Sequence, residues 1–307
     1  MKKLQTLGLA ILLLLSAGAF AQINMNDSTA QVIGYWDMNE KQSYIITWEK
    51  YKITDSDTTS TESYKHAVDM TIVDSTANSY VIDWLYRDYE IQSDNELIQK
   101  LASITEDMTV RIRTDELGVF QEVVNWKEIR DYILKATKLL KKETQNIPNL
   151  DKIINQVEGM YSSKESIELG AVKEIQQYYT FHGSKYKLGE ELSVDMQAAN
   201  LYGGDPFDMK VTIWLDKLNP DDNNFIIRMK QSVDANQLTN ATYDYVVNIA
   251  ETMKVPAPKK EDIPPLKNEN WTASRIHDSG WIIYSIESKE VKAEGFTHVE
   301  ERIIEIQ

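Results

Sequence analysis

The stretch YKHAVDMTIVDSTANSYVIDWLYRDY, residues 64–89, decides the fold of this chain. Apolar and aromatic residues alternate with polar ones from residue 64 to residue 72, which is the period of a strand with one buried face. A polar turn at 74–78 separates this run from a second alternating run. The second run has one strongly aromatic face, made of Tyr80, Ile82, Trp84 and Tyr86. The two runs predict an antiparallel hairpin with a long aromatic side.

The rest of the chain extends this hairpin into a larger α+β arrangement. Alternating patterns predict strand-rich segments at 31–124 and 185–307, with a solvated loop at 54–61. Helical periodicity predicts a block of helices at 126–182 and a further helix at 235–253. The predicted fold class is therefore α+β, a large curved antiparallel sheet packed against the helical block.

The third helix of the block is predicted because its apolar residues recur at helical spacing on one face. It is expected to run from about residue 164 to residue 183, with Leu169, Val172, Ile175 and Tyr179 on one face.

The two strand-rich segments show a similar order of elements. Each has a leading strand, a hairpin with a polar turn, a helix and further strands, an order that is compatible with a degenerate two-fold repeat. A hairpin followed by a helix is also common among α+β proteins in general. The proline-containing run 255–265 is interpreted as a strap within a single domain, 31–307, because the strands after it need partners upstream.

The first residues have the features of a secretory signal peptide. Two lysines precede an apolar run at 7–15, and small residues stand at −3 and −1 of a cleavage site between Ala21 and Gln22. The run is shorter than the roughly 18–20 residues that span a bilayer, and no cysteine stands near the cut for a lipid anchor. We therefore expect a signal peptide at 1–21, a flexible lead-in at 22–30, a periplasmic or secreted protein and no stable membrane anchor.

The charge of the chain disfavours nucleic acid as a partner. There are 33 basic and 48 acidic residues, and removal of Lys2 and Lys3 with the signal leaves 31 against 48, a net charge of −17. Such a surface repels phosphate backbones. The absence of cysteine from the sequence excludes disulfides, thiolate metal sites and a cysteine nucleophile.

No catalytic or metal motif is present in the sequence. The four histidines lack metal-ligand spacing, and the serine-hydrolase, P-loop and dinucleotide-binding motifs are missing. We expect no cofactor, no metal site and no catalytic residue, although Asp83 with a partner on the same sheet face would suit a carboxylate-dependent hydrolase. The triplets at 27–29, 57–59 and 74–76 resemble acceptors of bacterial O-glycosylation, and ordinary turn chemistry explains them equally well.

The aromatic residues indicate where a ligand would bind. Tryptophan and tyrosine combine a flat apolar face with a polar tip, which suits a sheet face that lines a cavity. An ordinary core between sheet and helices explains the same pattern, and His66 would then be hydrogen-bonded to a neighbouring tyrosine. The residues predicted to line a ligand site are Trp48, Tyr64, His66, Trp84 and Tyr86.

The layout resembles a group of exported bacterial proteins. With its signal peptide, strand-rich first half, and the ending Ser279-Gly280-Trp281 before a final hairpin, the chain resembles uncharacterised exported proteins of Gram-negative bacteria. Some of these look like the half-barrel of lipoprotein carriers, and the resemblance implies a periplasmic carrier or binding role. We expect a non-catalytic binding protein for an apolar or glycan ligand. The alternatives are an envelope structural or assembly component that contacts an envelope protein, and a carboxylate-dependent hydrolase.

Overall fold

An antiparallel sheet of 11 strands is the frame of the molecule. The computed structural model describes residues 22–54, 57–92, 99–101, 103–143 and 150–307. In chain order, the strands are β1 Ile23–Asn24, β2 Thr29–Gln31, β3 Lys41–Thr54, β4 Asp57–Thr76, β5 Ser79–Gln92, β6 Thr109–Asp115, β7 Phe120–Val123, β8 Lys185–Lys187, β9 Glu191–Ala198, β10 Phe207–Asn219, β11 Asn224–Val233, β12 Lys267–His277, β13 Ile282–Ala293 and β14 Phe296–Ile306.

The helices contain fewer residues than the strands and fall into two regions of the chain. They are α1 Trp126–Glu143, α2 Leu150–Met160, α3 Lys164–Ser166, α4 Lys173–Tyr179 and α5 Ala235–Met253. A π-helical turn, Ile167–Ala171, joins α3 to α4, and three short 3-10 turns lie at Ser103–Thr105, Pro220–Asp222 and Lys260–Asp262. None of the described helices is both long enough and apolar enough to cross a membrane.

The order of strands in the large sheet is β7-β6-β5-β4-β3-β14-β13-β12-β11-β10-β9, and the sheet does not close. Strands β3 to β7 form one meander, and β9 to β14 form the other. The two meanders join where β14 pairs with β3. A separate three-stranded sheet, β1-β2-β8, includes part of the segment 22–30. The predicted signal peptide, 1–21, lies outside the described residues.

The predicted hairpin is confirmed as β4 and β5. Its antiparallel pairs include Val68 with Tyr86, Met70 with Trp84 and Ile72 with Ile82. All six side chains are buried, as the alternating pattern predicts for the apolar face of the hairpin.

The prediction of an α+β fold was wrong, because the chain is mostly β. Strands make up 49% of the described residues and helices 27%. Strand β4 extends for 20 residues through much of the segment predicted as a solvated loop, since its polar residues pair along β3. The predicted repeat is not seen either. The first meander has five consecutive strands before its helices, whereas α5 interrupts the second meander after three strands.

The core lies between the middle of the large sheet and α4. Tyr178 of α4 is fully buried, and its ring packs edge-on against Tyr44 of β3 and Trp84 of β5, at centroid distances of 5.5 and 5.3 Å. Its hydroxyl lies 3.0 Å from that of Tyr44 and accepts a hydrogen bond from the backbone N–H of Ile282. Short as it is, α4 is therefore fixed to both meanders of the sheet.

The third predicted helix is broken by the π-helical turn. Val172 and Ile175 are buried as expected, but Leu169, predicted on the same face, is 71% exposed. A π-helical turn has one residue more than an α-helical turn, so the helical face before it and the face after it are out of phase. This change of phase separates α3 from α4 and helps to shape the site described next.

Candidate functional site

A cavity of about 220 Å³ lies between strands β4 to β6 and the helical segment that ends in α4. Aromatic rings dominate its wall, together with one carboxylate and several aliphatic side chains. The lining residues are Tyr64, His66, Tyr86, Tyr89, Leu101, Thr105, Met108, Val110, Tyr161, Ala171, Val172 and Glu174. We call this space the tyrosine cavity.

A β-bulge places two tyrosines of β5 on the cavity side. Residues 86 and 89 would face opposite sides of a regular strand, because side chains alternate. The register between β4 and β5 shifts here, so that Asp88 and Tyr89 together stand opposite His66. Asp88 adopts a positive φ of 56°, which aspartate tolerates better than most residues. The extra residue therefore turns Tyr89 to the same side as Tyr86.

His66 lies among these rings and is only 3% exposed. Its ring stacks at 4.7 Å from that of Tyr89, 5.5 Å from Tyr86 and 6.1 Å from Tyr64. Neither ring nitrogen has a hydrogen-bond partner in the described part of the chain. The simpler interpretation of His66, a core histidine bonded to a tyrosine, thus lacks the hydrogen bond that it requires.

Burial also determines the protonation of His66. Removal from water disfavours the charged imidazolium and lowers the pKa of His66 to about 4, although the nearby carboxylate of Glu174 acts in the opposite direction. The ring is therefore neutral at pH 7, with one N–H donor and one nitrogen acceptor, both unused.

Glu174 supplies the negative charge of the tyrosine cavity. It lies in the first turn of α4, and its Oε1 accepts a hydrogen bond of 2.6 Å from the hydroxyl of Tyr86. Burial raises the pKa of the tyrosines at 64, 86, 89 and 161, and the charge of Glu174 raises each of them further. All four phenols therefore stay protonated, and the carboxylate acts on all of them.

The structure brings three of the five predicted ligand residues together. Tyr64, His66 and Tyr86 line the tyrosine cavity. Trp48 stands just outside it, stacked on Tyr64 at 4.9 Å and hydrogen-bonded through Nε1 to Glu300. Trp84 is fully buried against α4 in the core and does not line the cavity.

Nine of the twelve lining residues were not predicted to line a site, and Tyr89, Tyr161 and Glu174 are the most important of them. In a regular strand, Tyr89 would face the side opposite to Tyr86. The aspartate before it, a residue type common in bulges and turns, was the only local sign that the strand is irregular there. Tyr161 and Glu174 lie on either side of the π-helical turn. Apolar periodicity does not show which side chains such a turn brings together.

Asp83 is paired with a cation, and the described residues show no group of three side chains that could hold a metal ion. Asp83, the predicted hydrolase candidate, is held by Arg111 through two hydrogen bonds of 2.6 and 2.8 Å. Across the described ranges, no three His, Asp or Glu side chains are placed to hold a metal ion. The described wall of the tyrosine cavity contains a single carboxylate.

A larger hollow of about 520 Å³ lies between residues 200–207 and α5. Most of its lining residues are exposed, and none of its lining side chains has a buried polar atom without a partner. The tyrosine cavity, which contains such a side chain, is therefore the better candidate site.

Comparison with known proteins gives little beyond the structure itself. No family model and no curated protein matches the chain. Among solved structures, a DUF1329 family protein from Desulfovibrio piger is 7% identical, with 86% of this chain and 85% of that chain covered and a TM-score of 0.15. This likeness is too weak to indicate a function.

Proposed function

We propose that this chain is a non-catalytic binding protein that holds a small ligand in the tyrosine cavity. The observation that supports this is His66, which is buried with both ring nitrogens unpaired. A buried polar group without a partner costs about 1–3 kcal/mol. A ligand that supplies the missing partner removes that cost, whereas an ordinary core position would be occupied at lower cost by an apolar ring.

The size of the cavity restricts the ligand. Its volume, about 220 Å³, lies between that of a cavity of roughly 150 Å³ that takes up benzene and the roughly 300–1,000 Å³ of sites for drug-sized molecules. A ligand with one or two rings, or a compact aliphatic body, fits this space. Among the apolar and glycan ligands expected from the sequence, the volume favours the apolar class over an oligosaccharide.

We further propose that binding takes place outside the cytoplasm. The support is the sequence of residues 1–21, with its lysines, apolar run and small residues before Gln22. The ligand would then be a molecule of the periplasm or of the surroundings of the cell.

The test is native mass spectrometry on the chain expressed with its own signal, followed by binding assays with a panel of one-ring and two-ring compounds. We expect a small molecule to co-purify or a panel member to bind. Tyr161→Ala should abolish binding because it removes one wall of the cavity. Tyr132→Ala, which removes an exposed tyrosine of α1, should leave binding intact.

Two results would contradict this proposal. One is a folded wild-type protein that binds no compound of the panel and carries none from the cell. The other is equal binding by the two tyrosine variants, which would place the ligand elsewhere.

A second candidate function is assembly with an envelope protein. Strand β9 is one edge of the large sheet, and its side chains Leu192, Val194 and Met196 are exposed. Open edges with apolar side chains accept added strands. If this is the function, Val194→Lys should abolish co-purification with the envelope partner and leave ligand binding unchanged, and retention of the partner would contradict it.

A further inference from the structure

Among the described residues of its wall, the tyrosine cavity has one carboxylate and no cationic side chain. This carboxylate belongs to Glu174, whereas the four tyrosines of the described wall are protonated and His66 is neutral. Within the described ranges, Glu174 has no ion-pair partner, and its Oε2 has no hydrogen-bond donor. One oxygen of the carboxylate is therefore free to interact with a ligand.

A buried cation close to the cavity, Arg302, is paired with a different carboxylate. Arg302 is close enough for its charge to affect Tyr64 and His66, lowering the pKa of each. Its guanidinium is bound instead to Glu287, at 3.2 Å. The local charge around the cavity thus remains negative, in a chain whose net charge is −15.

The aromatic rings supply a second attraction for positive charge. The face of an aromatic ring is negative, and several rings around one space attract a cation held within about 6 Å of their centres. Tyr64, Tyr86, Tyr89 and Tyr161 all line the same small space. Cages of this composition, with aromatic rings and a carboxylate, suit ammonium groups better than neutral or anionic groups.

We propose that the ligand of the tyrosine cavity is an organic cation, a small amine or quaternary ammonium compound with an apolar or aromatic body. The ammonium group lies among the tyrosine rings beside Oε2 of Glu174, and the apolar body packs on Met108, Val110 and Val172. An anion is repelled by Glu174, and a neutral ligand leaves the carboxylate uncompensated. This inference rests on the proposed function and specifies the charge of the ligand.

The test uses two probes that have the same shape and differ in charge, phenyltrimethylammonium and tert-butylbenzene. Calorimetric titration or tryptophan fluorescence measures the affinity of each for the full mature chain. We expect the cation to bind about tenfold more tightly or better, because ion pairing and ring attraction act on it alone. Glu174→Gln keeps the shape of the side chain and should remove most of that preference.

A matched variant controls for the general acidity of the protein. Glu165→Gln removes the same charge from an exposed position of α3, outside the cavity wall. It should change the affinity for phenyltrimethylammonium less than twofold. Thermal unfolding of both variants verifies that they are folded.

The outcomes separate this inference from the proposed function. Equal affinity for the two probes would overturn the cationic ligand and leave a neutral binding site standing. Failure of both probes to bind the folded protein would overturn the cationic ligand, and the panel of ring compounds with native mass spectrometry would then decide the proposed function. Equal losses of affinity in the two glutamate variants would show attraction by overall charge, and the cationic site would be overturned.

Discussion

Replacement of His66 by phenylalanine should make the protein more stable, and increasingly so as the pH falls. Phenylalanine keeps a flat ring among Tyr64, Tyr86 and Tyr89 but has no nitrogen to leave unpaired. At pH 7.5 the free energy of unfolding of the variant should exceed that of the wild type by about 1 kcal/mol or more. This is the low end of the cost of a buried unsatisfied group. The adjoining cavity gives the larger ring room and limits overpacking.

The pH dependence follows from the pKa of His66, which is about 4 in the folded protein and 6.5 when the side chain is exposed in the unfolded chain. Between these values the unfolded chain binds more protons than the folded chain. With respect to His66, the free energy of unfolding of the wild type is therefore highest above pH 6.5, and it decreases as the pH falls towards 4. At 1.36 kcal/mol per pKa unit, the shift from 6.5 to about 4 lowers the unfolding free energy of the wild type by about 3 kcal/mol.

Urea unfolding of both proteins, followed by tryptophan fluorescence at pH 7.5, 5 and 4, measures this effect. His182, whose pKa burial also lowers to about 4, is present in both and cancels in the comparison. The gap in unfolding free energy between variant and wild type should widen by about 3 kcal/mol from pH 7.5 to pH 4. A gap that is constant with pH, or a variant less stable at pH 7.5, would refute the reasoning.

Two further predictions concern the frame around the site. Gly280 has a φ of 85°, and a methyl group there would overlap the carbonyl oxygen of Ile33, so Gly280→Ala should cost several kcal/mol in urea unfolding. Gly295→Ala, with φ 78° and open space around it, should cost only about 1–2 kcal/mol, and equal losses would show that the contact is unimportant. Trp84→Ala should lower the unfolding free energy by about 3–5 kcal/mol, because Trp84 is fully buried. Trp48→Ala, at a half-buried position, should cost clearly less, and the reverse order would contradict the placement of Trp84 in the core.

Individual hairpins and helices were predictable because the residues that determine them lie within or next to the element itself. The hairpin of β4 and β5 follows from alternation around a polar turn. Helix α5 has the predicted bounds, and Asp234 caps it by accepting a hydrogen bond from the N–H of Gln237. Three cavity residues followed from the same alternation, since they lie on regular parts of β4 and β5.

The remaining features depend on interactions that periodicity does not reveal. The strand content exceeds what alternation predicts, because long polar strands such as the first half of β4 are stabilised by pairing with β3 and show little apolar alternation. The bulge at Asp88 and the π-helical turn each change the side to which later residues point. Tyr89 and Glu174 are cavity residues for this reason, and both interruptions are needed to bring them together.

The pairing of β14 with β3 has a consequence for the order in which the molecule can form. These strands lie side by side in the middle of the sheet, but β14 follows every other described strand along the chain. Until residues 296–306 emerge from the ribosome, β3 and β13 both present unpaired edges that favour aggregation. The large sheet can therefore be completed only after its last strand, which lies in the middle of the sheet, has been synthesised.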